Sequence, residues 1–308
     1  MHTKAYVLLL ATTLFWGGNA VAGKLAVGHV SPFALTTLRW LLSLVVLLPF
    51  AMGPLRRDWP KIRRSLPFMA MLGVLGFTFF NAAMYSALLF TSAVNVSIEQ
   101  AAIPMVIIVL NFLIFRVRAS LLQLVGFLLS LAGVALTASH GDLTRLAALD
   151  VNTGDLLMML AVVSYSIYTV ALRFKPDIHW LSTITVLSAA ALISSLPFLA
   201  WEYGSASLLF PDTPGWLIAA YTAIFPSVLA QVFYIWGNEM IGANRAGLFV
   251  NLVPIFGTLL SILIVGEAFQ PYHAVAMGLV FCGIWLAEYS GRKMTGTAPH
   301  VRASSGEK

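Results

Sequence analysis

The sequence predicts an all-α integral membrane protein of ten transmembrane helices, arranged as two inverted five-helix repeats with both termini in the cytoplasm. Three observations carry this: long apolar runs, an uneven placement of Lys and Arg, and a self-match at an offset of 150 residues. The 308-residue chain is 59% hydrophobic and only 10% charged, where soluble domains average about 25% charged residues. So much apolar surface requires the bilayer as solvent.

A spanning helix needs about 20 apolar residues to cross a hydrocarbon core about 30 Å thick. Such runs fall near 5–23, 33–53, 66–89, 96–115, 121–138, 155–173, 180–200, 216–236, 245–264 and 272–289. They are long and continuous and do not alternate at period two, which favours helices over barrel strands. Lys4 followed by an apolar run and Ala20-Val21-Ala22 also resembles a cleavable signal peptide. Cleavage there would leave nine helices and break the repeat.

Orientation follows from the basic residues. With the N-terminus inside, the cytoplasmic segments hold fifteen of the eighteen Lys and Arg, among them Arg56, Arg57, Lys61, Arg63 and Arg64. The outer segments hold Lys24 and Arg145, and Arg39 lies within a span. The net charge of +6 is therefore a topology signal, and no nucleic-acid partner is expected. Residues 291–308 read as a disordered cytoplasmic tail, after repeats spanning 1–145 and 150–290.

The self-match needs no gap between residues 93 and 133. It aligns Ala93 with Ala243, Pro104 with Pro254, and Gly133 with Gly283. Five spans per half is an odd number, so the second half enters the membrane inverted. Inverted repeats suit alternating access around a central site. Pro104 and Pro254 sit inside spans, where each removes a backbone donor and kinks its helix; a gating or a purely structural role fits equally. Gly126 and Gly133 share one helix face, as do Ala276 and Gly283, which suits close helix contact. Spans five and ten are therefore read as scaffold or as a homodimer surface.

Polar and aromatic side chains within spans mark the candidate substrate site, because such groups face protein or a wet cavity. They are Trp16 and Asn19, then Phe77, Asn81 and Tyr85, then Glu99 and Gln100, then Tyr165 and Tyr168, and finally Gln231, Tyr234 and Asn251. Rings with amides suit a zwitterion bearing an apolar side chain. An interfacial aromatic belt is the rival reading for rings near span ends. Arg39 and Glu99 are the ionisable residues well inside spans. Either they approach each other near the outer mouth, or carbonyls, amides and water satisfy them separately. Few buried carboxylates argue against a dedicated proton relay, with Glu99 the exception.

Gly18-x4-Gly23-Lys24 begins like a phosphate-binding loop, but Leu25 stands where Ser or Thr is needed and no strand precedes it. No metalloprotease, serine-hydrolase or Cys/His motif occurs, so neither an enzyme nor a metal or cofactor is expected. Cys282 reads as a packing residue.

Leu14-Phe15-Trp16-Gly17, the Ala93…Pro104 and Ala243…Pro254 spans and Gly154-Asp155 together resemble EamA-type members of the drug/metabolite transporter superfamily. Within it the chain looks most similar to the YddG-type aromatic amino acid exporters. The resemblance implies a carrier in the bacterial inner membrane whose central cavity is formed by both halves. The function expected is secondary export of amino acids, aromatic or apolar favoured, or of related small metabolites. A multidrug or nucleotide-sugar carrier of the same fold is the first alternative, and a membrane scaffold or receptor without flux the second.

Overall fold

A computed structural model describes residues 2–116, 120–142, 152–241, 246 and 249–295. Among these residues the chain is helical and contains no strand. In hydrocarbon each backbone N–H and C=O must be satisfied internally, and helices do this within one segment. Eight helices are long and apolar enough to cross a membrane: α1 (His2–Leu25), α2 (Pro32–Arg64), α3 (Leu66–Ala87), α4 (Ala93–Phe115), α5 (Leu121–Ala138), α6 (Thr153–Phe174), α7 (Trp180–Gly204) and α8 (Thr213–Ile241). Two further helices with shorter apolar stretches follow, α9 (Val253–Val265) and α10 (Pro271–Thr295, apolar over Pro271–Leu286).

The helix α2 has 33 residues, about 50 Å at 1.5 Å per residue, and outruns the expected span 33–53. Its last turns carry Lys61, Arg63 and Arg64, which complement the helix dipole there. The final helix α10 likewise runs through Thr295, into the segment expected to be disordered.

Spans α4 and α9 are interrupted as the prolines require. In α4 the helix pauses at Ala101-Ala102 and resumes at Ile103, with Pro104 in the new first turn. Asn251-Leu252 form the equivalent turn before Pro254. Pro is tolerated at such a position because first-turn N–H groups lack intrahelical acceptors anyway. The backbone also widens to π-helical turns at Val74–Phe79 in α3 and Phe225–Leu229 in α8. Such bulges release backbone groups and gather at functional sites.

The packing interlaces the two ends of the chain. Helix α1 lies against α8 and α9, while α6 lies against α3 and α4. Helices α2 and α7 pair, and α5 and α10 pair. The small residues expected to form a packing face do so between α5 and α10. A Cβ on Gly133 would meet the Ala276 carbonyl oxygen at 2.6 Å, and one on Gly283 would meet that of Gly126 at 2.4 Å. Cys282, expected to pack, is exposed on α10.

Short loops gather at two opposite faces. At one face Lys24 Nζ donates to the carbonyls of Leu88 and Thr91. This ties two loops together and gives Lys24 a partner other than phosphate. At the other face Lys61 Nζ donates to the Asp177 carbonyl.

Candidate functional site

The polar centre of the molecule is built on Arg39, which α2 carries inward to 5% exposure. Its Nη1 donates to Asn19 Oδ1 (2.8 Å), Asn81 Oδ1 (2.7 Å) and the Tyr85 hydroxyl (2.6 Å). Its Nε donates to Ser227 Oγ at 2.7 Å. The partners come from α1, α3 and α8. Asn81 and Tyr85 are four apart in α3 and so share a face. Asn81 is held in turn by donating to the Phe77 carbonyl at 2.7 Å. Ser227 sits in the π-helical turn of α8 and donates to the Thr222 carbonyl at 2.8 Å.

Every one of these acceptors is neutral. Among the described residues no carboxylate lies within 4.0 Å of Arg39. The guanidinium is thus held by neutral dipoles alone. An uncompensated charge here costs far more than a paired one. The four bonds use Nε and Nη1, which leaves the two Nη2 hydrogens outside them, and Arg is suited to binding a carboxylate two-pronged.

Aromatic rings flank this centre. The Arg39 guanidinium lies 5.0 Å from the Trp40 ring, within cation–π range. Trp40 stacks on Phe77 at 4.6 Å between centroids, and Phe77 meets Tyr168 at 5.9 Å. Tyr165 lies 4.8 Å from Phe80 and 5.3 Å from Tyr168. Trp16 meets Tyr234 at 5.4 Å, and its Nε1 donates to the Pro226 carbonyl that the π turn releases. Half-buried Gln231 lies one helical turn beyond Ser227 on the same side of α8.

The structure therefore brings together Asn19, Phe77, Asn81 and Tyr85 around Arg39, with Tyr165 and Tyr168 next to Phe77. Gln100 sits at its edge, its Nε2 4.0 Å from Met84 Sδ, which Asn19 Nδ2 also approaches at 3.8 Å. Asn251 lies instead at the turn before Pro254. Glu99 is elsewhere. Its carboxyl points toward α6, and no ion pair joins it to Arg39. Of the two readings, the structure shows the second: Arg39 is satisfied by amides and hydroxyls, apart from Glu99. The reason is rotational: the inward face of α2 meets α1, α3 and α8, whereas Glu99 on α4 meets α6.

Ser227 and Trp40 belong to this centre and escaped the sequence reading. A Ser after Pro226 carries no chemical signature of its own. It stands 150 residues after Phe77, just as Gln231 stands 150 after Asn81. The self-match extended into α8 would have drawn attention to Ser227.

The profile of the EamA-like transporter family matches residues 3–139 and again 152–289, and the chain belongs to that family. It is 27% identical over 287 residues to the uncharacterized transporter YyaM of Bacillus subtilis strain 168, covering 93% of this chain and 94% of that protein. It is also 27% identical over 286 residues to the uncharacterized transporter YetK of the same organism, covering 92% and 86%. A crystal structure with 22% identity covers 95% of this chain and 99% of its own at a TM-score of 0.61, a likeness of fold. The chain is thus a multi-pass membrane transporter of the EamA family.

Proposed function

We propose that the protein is a ten-span secondary carrier that exports amino acids, aromatic or apolar ones favoured, by alternating access. It works without ATP or another cofactor, in a bacterial inner membrane. The short helices α9 and α10 complete the ten spans. The interlaced contacts, in which α1 meets α8 and α9 as α6 meets α3 and α4, support two inverted five-helix repeats. The paired proline breaks and π turns at the same spacing support it further. The charge distribution supports an orientation with the Lys24 face outside and the Lys61 face, with both termini, in the cytoplasm.

One observation carries the substrate reading: a buried guanidinium with no carboxylate partner among the described residues, beside the stacked Trp40 and Phe77 rings. A substrate carboxylate would supply the missing charge on the free Nη2 edge. Trp40, Phe77, Tyr165 and Tyr168 would receive an apolar or aromatic side chain. A cationic drug would meet like charge at Arg39, so the multidrug alternative fits this centre poorly. A nucleotide sugar is also anionic and belongs in any test. We read Pro104 and Pro254 as hinges, since each lies in the first turn after a break in its span.

The test is flux into proteoliposomes containing the purified protein, without ATP, across a panel of amino acids, a nucleotide sugar and a cationic drug. Accelerated entry of at least one aromatic or apolar amino acid over empty liposomes is expected. Transport of the nucleotide sugar or the drug alone would replace this substrate assignment. Absence of any flux would favour the scaffold alternative.

A further inference from the structure

A second polar cluster lies apart from Arg39, at the Lys24 end of α4 and α6. Glu99 is completely buried, and neither of its carboxyl oxygens meets a hydrogen-bond donor. Asp155 on α6 faces it as a like-charged neighbour, and its Oδ2 is likewise without a hydrogen-bond partner. Asp155 is equally buried. Its Oδ1 accepts from the Thr91 hydroxyl at 2.6 Å, and its Oδ2 lies 3.8 Å from His140 Nε2. Asn95 braces the group, donating to Thr91 Oγ1 at 3.2 Å, while its Oδ1 lies 3.1 Å from His273 Nε2.

Two ionised carboxylates cannot occupy this space. Like charges side by side in an apolar interior disfavour each other strongly, and one carboxyl then keeps its proton. Glu99 has nothing else to offer it a hydrogen. A proton on either carboxyl creates the one bond that satisfies both.

The surrounding charges do not relieve the pair. Lys24 from α1 spends its ammonium on the Leu88 and Thr91 carbonyls. Glu267, beyond α9, accepts from the Ala93 and Val94 amides. His273 and Tyr272 come from α10, and His140 follows α5. Of these, His140 alone combines contact with Asp155 and an opening to solvent, its side chain being 33% exposed. Among the described residues no group of three or more acidic, His or Cys side chains forms a metal cage. A hard cation wants six or more oxygens, and here Thr91 and the Asn95 oxygen are already engaged.

We propose that Glu99 and Asp155 form a proton-binding site, reached from the Lys24 face through His140, and that its occupancy couples substrate transport to a proton gradient. The site joins the interrupted span α4 to α6. Removing the proton leaves two negative charges pressing these helices apart, and restoring it draws them together. Helix α6 also carries Tyr165 and Tyr168 beside the substrate centre, so the same motion reaches the aromatic wall. The coupling rests on the transport reading above, whereas the proton site itself does not.

Two measurements separate those levels. The first is the protonated-carboxyl C=O stretch in difference infrared spectra of the purified full-length protein, titrated with pH. A band that titrates and is lost in both Glu99→Gln and Asp155→Asn is expected. Absence of a titrating band, or its survival in both variants, overturns the site. The second is flux of a transported amino acid in proteoliposomes under imposed pH or Na⁺ gradients, with a dye reporting internal pH. Drive by the pH gradient with accompanying proton movement, lost in Glu99→Gln, is expected. Flux indifferent to pH, or driven by Na⁺ instead, overturns the coupling. If no substrate moves at all, the transport reading fails and the infrared result still decides the site.

Discussion

The two ends of the helix bundle are closed by the same device used to different extents. At the Lys24 face, carboxylates from the second half of the chain seize helix starts in the first half. Glu202, at the end of α7, accepts from the Phe33 and Ala34 amides of α2 and from the Ser31 hydroxyl. Glu267 does the same for Ala93 and Val94 of α4. His29 and Asp212 add a link of 2.8 Å. At the Lys61 face, Asp58 of α2 accepts from the His179 amide and the Ser182 hydroxyl at the start of α7. The α2–α7 pair is thus capped reciprocally at both ends. The start of α4 has its clamp at the Lys24 face alone. A helix N-terminus carries free N–H donors and a partial positive charge, so an acidic side chain from another helix holds it well. Such clamps are local, directional and easily released by water, which suits the alternating access proposed above.

The largest effect is expected at the centre that both faces enclose. Arg39→Ala should weaken substrate binding by about 2–5 kcal/mol, the range for truncating a buried, hydrogen-bonded charge. Arg39→Lys should recover little, because an ammonium lacks the planar fork. Substrate-induced thermal shifts and flux both read this. Unchanged binding would move the site away from Arg39 and leave the bundle ends as the more important regions.

The comparison of faces is sharpened by removing one clamp at a time. Glu267→Ala and Glu202→Ala should each cost about 1 kcal/mol, as loss of a helix cap does, and should open the Lys24 face. Asp58→Ala should open the other. Spin labels at Leu89→Cys and Leu209→Cys should separate in the first two variants and stay close in the third. Equal behaviour of all three would show that the clamps do not set which face is shut.

A smaller effect distinguishes the two inner spans. Helix α4 ends on Arg116 at φ 55°, and α9 ends on Gly266 at φ 78°. Left-handed backbone disfavours residues with a Cβ by about 1–2 kcal/mol, and glycine is exempt. A Cβ on Gly266 would meet nothing within 4 Å, so Gly266→Ala isolates the backbone cost. It should lower thermal stability by about 1 kcal/mol, and Arg116→Gly should raise it by a similar amount.

The smallest effect is a pH dependence at the His29–Asp212 link. The hydrogen bond from His29, helped by the Gly215 amide, holds the Asp212 carboxyl below the usual carboxylate range. A depressed value means that the ionised form stabilises the fold. That contribution is present above the ordinary carboxylate range and is lost as pH falls through the lowered value. Asp212→Asn should remove this acid-sensitive part of a melting curve, and both groups are exposed enough that the change will be slight.

How much of this was legible beforehand differs by element. Apolar length gave the helices, because hydrocarbon leaves the backbone no other partner. Pro104 and Pro254 announced their own helix breaks by lacking a backbone N–H. Asn19, Asn81 and Tyr85 were visible as polar groups in apolar runs, and their burial follows from the cost of placing them in lipid. What faces what was not visible. Rotation about each helix axis sends Arg39 to Asn19, Asn81, Tyr85 and Ser227, and sends Glu99 to Asp155. Asp155 was read only as part of the Gly154-Asp155 motif, and His140 was not singled out, until the fold stacked α4 on α6. The sequence by itself determined the helices, their breaks and the stock of buried polar groups, since these follow from local hydropathy and backbone chemistry. Only the tertiary structure decided the partners, because hydrogen bonding depends on a few ångströms of approach between segments up to 218 residues apart.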